Sequence, residues 1–255
     1  MINFIWKYKQ ADFEDIKTIS EEFSVPNSIA TIMSLKKIND KQISRTFFYH
    51  NLNHLHDPLL MKDMDKAINR IIQAQTNQEV ILIIGDYDTD GTSAAAILYL
   101  YLKSINIDSY YYIPNRQTEG YGISTLAIDY GIKIGASLLI SCDCGITAID
   151  EIEYANNHNL DFIITDHHKQ KDNLPNAYAI LNPNQHDCSY PFKGLCGAGV
   201  AFKLCLGINN ELSINIDNVL KYLDLVAIAT TADVMPVIDE NRIIVKEGIK
   251  KILSG

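Results

Sequence analysis

The sequence predicts an α/β fold: a mostly parallel sheet with helices on both faces, preceded by a small helical N-terminal segment. Three observations predict it. After residue 78, short apolar runs alternate with stretches of helical period, the rhythm of repeated βαβ units. The first run, V-I-L-I-I at 80–84, lacks polar alternation, as expected of a strand covered on both faces. Ahead of it, apolar residues recur at helical spacing without a strong strand.

Helical patterns begin at Asp12 and continue to Asp63–Gln75, where Met64, Ala67, Ile68, Ile71 and Ile72 share one face. The chain is therefore divided into an N-terminal helical segment, 1–76, and an α/β body, 77–255. Strands are predicted at Val80–Ile84, Ser109–Ile113, Ser137–Ser141, Phe162–Thr165 and Ala177–Leu181. Helices between them fall at Thr92–Ile105, Ser124–Tyr130 and Thr147–His158. Three more follow at Ala198–Leu206, Asp217–Thr230 and Glu240–Leu253.

A chain of 255 residues with 47% hydrophobic and 21% charged residues can bury a substantial core, and no apolar run is long enough to span a bilayer. The N-terminus lacks the apolar core and cleavage site of a signal peptide, so a cytoplasmic, non-membrane protein is expected. Five cysteines, an odd number, fit a reducing compartment. Cys142 and Cys144 have no second Cys/His pair at structural-zinc spacing. The net charge of −9 argues against a nonspecific, surface-wide nucleic-acid binder but not against a nuclease, because acids that bind cations add negative charge.

The first strand runs directly into Asp86, Asp88 and Asp90, which sit where an open α/β sheet binds ligands. Like charges this close resist desolvation unless a metal compensates them. An EF-hand loop is rejected: its twelfth position would be Ile97 rather than Glu, and a strand precedes it. A dinucleotide site lacks its glycine pattern. On this segment alone, a metal site and an acidic turn weigh equally. His50, His54 and His56 are read as structural, since only Asp57 accompanies them.

The recurrence of the pattern decides between the two. Asp143 ends L-L-I-S-C-D and Asp166–His168 end F-I-I-T-D-H-H; Asp233 follows the apolar V-A-I-A-T-T-A, where its position alone does not separate a helix-ending acid from a site acid. Parallel strands that all deliver acids or imidazoles at their carboxyl ends aim them into one crevice.

In order, D-Y-D-T-D-G, S-C-D-C-G, T-D-H-H and T-A-D-V resemble the motifs of the DHH phosphoesterase superfamily. The resemblance is strongest to its RecJ family of bacterial single-stranded-DNA exonucleases. I-P-N-R-Q-T-E-G-Y-G, I-L-N-P-N and G-A-G-V-A-F add matches in family order, and L-H-D-P-L-L-M-K-D-M adds one near the N-terminus. The resemblance implies that Asp88, Asp90, Asp143, His167 and Asp233 bind one or two Mn²⁺ or Mg²⁺ ions, with Asp143 bridging. It implies that Asp86 supports the loop, that His168 and Arg116 contact the scissile phosphate, and that backbone N–H groups around Gly197 and Gly199 hold a neighbouring phosphate. Tyr121 is a candidate for base stacking, with a core role equally open. Ile84 stands where many relatives carry a histidine, so one metal site is expected to be weaker.

The implied activity is release of nucleotides from the 5′ end of single-stranded DNA in repair and recombination, by a monomer that works with a single-strand-binding protein. Alternatives are an oligonucleotide or cyclic-dinucleotide phosphodiesterase of the same superfamily, and a nonenzymatic binding module. The family continues into further C-terminal domains, so the chain is expected to be a fragment or a shortened relative.

Overall fold

The computed structural model describes residue 5, residues 7–39, residue 45 and residues 47–254. The chain divides into two compact units, Met1–His54 and Leu55–Gly255.

In the first unit, helix α1 (Phe13–Phe23) starts where the Asp12 carboxylate accepts the N–H groups of Glu14 and Asp15. Helix α2 is Asn27–Leu35. Ile19, Ala30 and Met33 form the small core of this unit, surrounded by Ile16, Phe23, Val25, Phe47 and Phe48.

The second unit is built on a sheet of five parallel strands in the order β2-β1-β3-β4-β5, the fold class the sequence predicts. The strands are β1 (Val80–Gly85), β2 (Ser109–Tyr112), β3 (Ala136–Cys142), β4 (Asp161–Thr165) and β5 (Ala179–Leu181). Alternation along β1 separates two cores. Leu82 and Ile84 join Ala127 and Ile128 of α5 (Thr125–Lys133) and Ile152 and Ala155 of α6 (Ile149–Asn157). Ile81 and Ile83, equally buried, face the side of α4 (Thr89–Ser104), and α7 (Gly197–Glu211) packs on α4 and the sheet. Ile84 is thus a core side chain, with no donor to offer the neighbouring acids.

The predicted helix over Asp217–Thr230 is two helices, α8 (Asp217–Leu220) and α9 (Leu223–Ala232). The Tyr222 N–H bonds to Val219 O, a tightened turn that redirects the chain, and the Tyr222 side chain is buried. Helix α10 spans Asp239–Ser254. Among the described residues no helix is long and apolar enough to cross a membrane.

Helix α3 (Met64–Asn77), counted with the N-terminal segment in the sequence-based division at 76/77, packs against α7 and β5 inside the second unit. Met64, Ala67, Ile68 and Ile71 are buried there. Its Arg70 is also buried and reaches Glu79 (Nη2–Oε2, 2.7 Å) and Asp161 (Nε–Oδ2, 2.6 Å), tying α3 to the starts of β1 and β4. Burial works against the Glu79 charge, but bonds from Ser137, Asn77 and Arg70 outweigh it and hold the carboxyl below its usual range. Arg70→Ala is expected to cost about 2 kcal/mol in urea unfolding at neutral pH, because it removes a buried guanidinium and leaves the half-buried Glu79 and Asp161 without their charged donor. A depressed carboxyl stabilises the fold above its unfolded value and loses that contribution as pH falls through the folded one. The difference between Arg70→Ala and the unaltered protein should therefore shrink in acid; equal urea midpoints at pH 7 would refute the role.

Candidate metal centre

Because β1, β3 and β4 are neighbours and parallel, their carboxyl ends open on one edge, and their next residues are Asp86, Asp143 and Asp166-His167-His168. Helix α4 begins at Thr89, three residues before the predicted start, because the Asp88 carboxylate accepts the Gly91 N–H at 2.9 Å and caps the helix. Asp90 therefore lies in the first helical turn. Helix α9 packs on α4 and brings Asp233, its C-cap, beside them. Asp88, Thr89, Asp90, Ala232 and Asp233 line a cleft of ≈ 120 Å³.

His167 Nε2 lies 3.1 Å from Asp143 Oδ1, 3.7 Å from Asp90 Oδ2 and 3.7 Å from Asp233 Oδ2. Potential ligand atoms fall into three sets, each within 4.8 Å: Asp90, His167 and Asp233; Asp143, His167 and His168; and Asp86, Asp88 and Asp143. Asp143 belongs to two of them. The five residues that the resemblance nominates as metal ligands thus lie within these sets. So does Asp86, which the resemblance assigns to loop support.

The electrostatics fit a divalent cation. Burial, followed by the charges of Asp90 and Asp88, pushes the Asp143 carboxyl up to about 7 despite the opposing pull of His167. Burial also raises Asp86 and Asp233. For His167 burial favours the neutral ring, but the bond to Asp143 and the charges of Asp143 and Asp90 outweigh it and raise the imidazole. Asp143 Oδ1 is buried 3.1 Å from His167 Nε2, and the buried Asp86 carboxylate faces the backbone N–H groups of Tyr87, Gly122 and Asp88. Carboxylate oxygens and imidazole are suitable donors for Mn²⁺, and the carboxylates for Mg²⁺. The thiols are poor ligands in this setting: burial lifts Cys142 to about 12 and Cys144 well above its usual value.

The backbone supports this arrangement under constraint. Asp143 adopts φ 63°, a left-handed conformation uncommon outside glycine. Both Asp90 oxygens accept bonds from the start of α7, from Gly197 N–H at 2.6 Å and Ala198 N–H at 2.8 Å. A Cβ on Gly197 would lie 2.5 Å from Asp143 Cβ and 2.6 Å from its Oδ1, so only glycine allows the helix to approach. The resemblance expects N–H groups around Gly197 and Gly199 to hold a neighbouring phosphate. The Gly197 N–H is committed to Asp90, and the Gly199 N–H is directed at the Cys196 thiol.

Asp166, one of the strand-end acids of the expected crevice but given no role of its own there, organises the two histidines. Its carboxylate accepts the N–H groups of His167 (2.7 Å), His168 (3.0 Å) and Ile146 (2.9 Å), and it bonds His168 Nδ1 at 2.8 Å. Asn182 and Asn184 donate to the carbonyls of His168 and His167. The adjacency in T-D-H-H and the polar N-P-N after β5 were the available sequence signals. The Asp166 bond raises His168 to about 9, while bonds from His168 and the backbone overcome burial to hold Asp166 low. A raised imidazole stabilises the fold fully below its unfolded value and loses that contribution as pH rises through about 9. In Asp166→Asn, the His168 titration followed by NMR is expected to move down towards about 6.5; an unmoved midpoint would exclude the bond as its cause.

Arg116 and Tyr121 lie on the exposed connection after β2. The Tyr121 hydroxyl donates to Asp143 O at 3.3 Å and stands 3.5 Å from His168 Nε2, while the residue as a whole is 58% exposed. Arg116 lies over Tyr87, outside the ligand sets. His56 bonds Asp239, and His50 stacks on His54; no potential metal group among the described residues includes them.

Residues 80–230 match the family model described as the DHH family, N-terminal domain. The chain is 37% identical over 247 residues to the single-stranded-DNA-specific exonuclease RecJ of Bacillus subtilis (strain 168), covering 97% of this chain and 31% of that protein. A crystal structure of exonuclease RecJ bound to manganese is 32% identical with a TM-score of 0.70, over 76% of this chain and 49% of that one. RecJ of Thermus thermophilus in complex with Mn²⁺ is 25% identical with a TM-score of 0.77, over 97% of this chain and 35% of that one. The chain spans about a third of the length of the curated relatives it matches.

Proposed function

Because the chain belongs to the DHH family, we propose that it hydrolyses phosphodiester bonds with Mn²⁺ or Mg²⁺, releasing nucleotides stepwise from the 5′ end of single-stranded DNA. The observation that carries this reading is the convergence of Asp90, Asp143 and Asp233 on His167 Nε2 at the carboxyl edge of a parallel sheet. The single-stranded substrate is supported by the names of the matched relatives, and the polarity by the family resemblance.

Asp88, Asp90, Asp143, His167 and Asp233 would hold one or two ions, with Asp143 shared and Asp86 adding negative charge beside it. A bound divalent ion lowers the pKa of water and neutralises charge on the phosphate. His168, whose imidazole the Asp166 bond raises to about 9, is fixed through Nδ1 and has Nε2 to offer a phosphate oxygen or the leaving group. Arg116 supplies a forked pair of donors for phosphate, and Tyr121 an exposed ring for a base. A role in repair and recombination, a monomeric state and a single-strand-binding partner accompany the reading on family resemblance. A cytoplasmic location is supported by five free, buried cysteines.

The test is digestion of 5′- and 3′-labelled single strands, duplex DNA and cyclic dinucleotides with Mn²⁺. Mononucleotides released from the 5′ label of single strands are expected. Cleavage of cyclic dinucleotides alone would instead select the small-substrate alternative, and intact substrates throughout would leave a binding module.

A further inference from the structure

We propose that Tyr87, between Asp86 and Asp88, is a positioning residue that holds Arg116 and Tyr121 over the mouth of the metal centre with the Arg116 fork free for a nucleic-acid phosphate. The inference rests on the phosphodiesterase reading and extends it to how the polynucleotide is gripped.

Tyr87 has a fixed base. On one side Asp86 is buried and its N–H donates to Cys142 O; on the other Asp88 caps α4. Its partners belong to a connection with fewer anchors. Gly120 and Gly122 there have φ 81° and 91°, and Glu119 ties the segment together through Asn115 N–H, Tyr112 and Ser124. That internal tie leaves the Arg116 side chain to be placed from outside, while the Tyr121 hydroxyl reaches Asp143 O and His168 Nε2 and its ring needs support on its other side.

Tyr87 meets both. The Arg116 Cζ lies 5.2 Å from the Tyr87 ring centroid. The Tyr87 and Tyr121 rings stand edge to face, 6.4 Å apart at 87°. Tyr121 makes the same kind of contact with His168, 6.1 Å at 80°. Tyr87 thus joins Arg116 to a row that ends at the imidazole beside the metal ligands. The nature of the Arg116 contact matters. A carboxylate partner would occupy the guanidinium donors, whereas a ring face holds the cation and leaves its N–H edge open for two bonds to phosphate. No carboxylate pairs with Arg116 among the described residues.

The test uses the 255-residue chain and a fluorescein-labelled, 5′-phosphorylated single strand, with anisotropy for binding and Mn²⁺-dependent cleavage for kcat and KM. Tyr87→Leu is expected to weaken binding and raise KM about 3- to 30-fold, with Mn²⁺ affinity changed less than about twofold. Tyr87→Phe should restore binding, and in an Arg116→Ala background Tyr87→Leu should add little. Unchanged binding in Tyr87→Leu, an equal defect in Tyr87→Phe, full additivity with Arg116→Ala, or a parallel loss of Mn²⁺ affinity would each overturn the inference while the phosphodiesterase reading stands. If the unaltered chain neither binds nor cleaves the strand, both fall.

Discussion

Asp143→Ala is expected to reduce Mn²⁺-dependent hydrolysis on the order of 10³-fold or more, because one substitution removes the carboxylate common to two potential ligand sets. The fold should survive it. In chelator the substitution is expected to leave thermal stability unchanged or higher, since it removes a buried acid whose carboxyl burial has raised to about 7. The sign follows from linkage: the folded protein holds this proton more tightly than the unfolded chain. Stability therefore declines as pH rises from the ordinary carboxylate range through about 7. The variant should lack that decline. Mn²⁺ at a hundredfold excess over its dissociation constant should stabilise the unaltered protein by about 2.7 kcal/mol, a gain largely absent in the variant. Hydrolysis at the normal rate by folded Asp143→Ala would remove this residue from the centre.

Gly197→Ala has the second-largest expected effect, and its direction separates two explanations. Alanine in a helix is intrinsically favoured over glycine by about 1 kcal/mol, so helix propensity alone predicts stabilisation. The structure predicts the opposite. The new Cβ would fall 2.5 Å from Asp143 Cβ and 2.6 Å from Oδ1, so α7 or Asp143 must retreat. Overpacking of this kind costs about 1–3 kcal/mol. Retreat would also lengthen the two N–H bonds that orient Asp90. A displacement near 1 Å at a reacting centre costs roughly 10²-fold in rate, so Mn²⁺-dependent cleavage should fall by about that much. Calorimetry and cleavage assays on the same preparation check both effects; a more stable and fully active variant would mean that the close approach has no consequence.

The fold was largely legible because parallel strands covered by helices leave uninterrupted apolar runs. All five strands lie where those runs occur, although β5 contracts to Ala179–Leu181, the residues paired with β4. The strand-end acids were legible for the same reason, since a parallel sheet gathers its carboxyl ends on one edge. Contacts made across long sequence separations were not. G-A-G-V-A-F reads as a phosphate-binding helix start, but its N–H groups meet Asp90, 107 residues earlier in the chain. Asp166 reads as one more acid in the series, while geometry makes it the orienter of His168. Nothing in D-Y-D-T-D-G marks Tyr87, because its partners, Arg116 and Tyr121, come from another connection. The helix over Asp217–Thr230 carried no glycine or proline to signal its break, which falls where the Tyr222 N–H turns to Val219 O.

A metal add-back measurement bears most directly on the metal centre. The protein is stripped with chelator and Mn²⁺ is returned stepwise, while bound Mn²⁺ is counted by electron paramagnetic resonance and release from a 5′-labelled single strand is followed in the same samples. The arrangement of Asp88, Asp90, Asp143, His167 and Asp233 predicts one or two bound ions, no cleavage before add-back, and cleavage that rises with occupancy. Cleavage that persists in the stripped protein, or occupancy that fills without any cleavage, would contradict it.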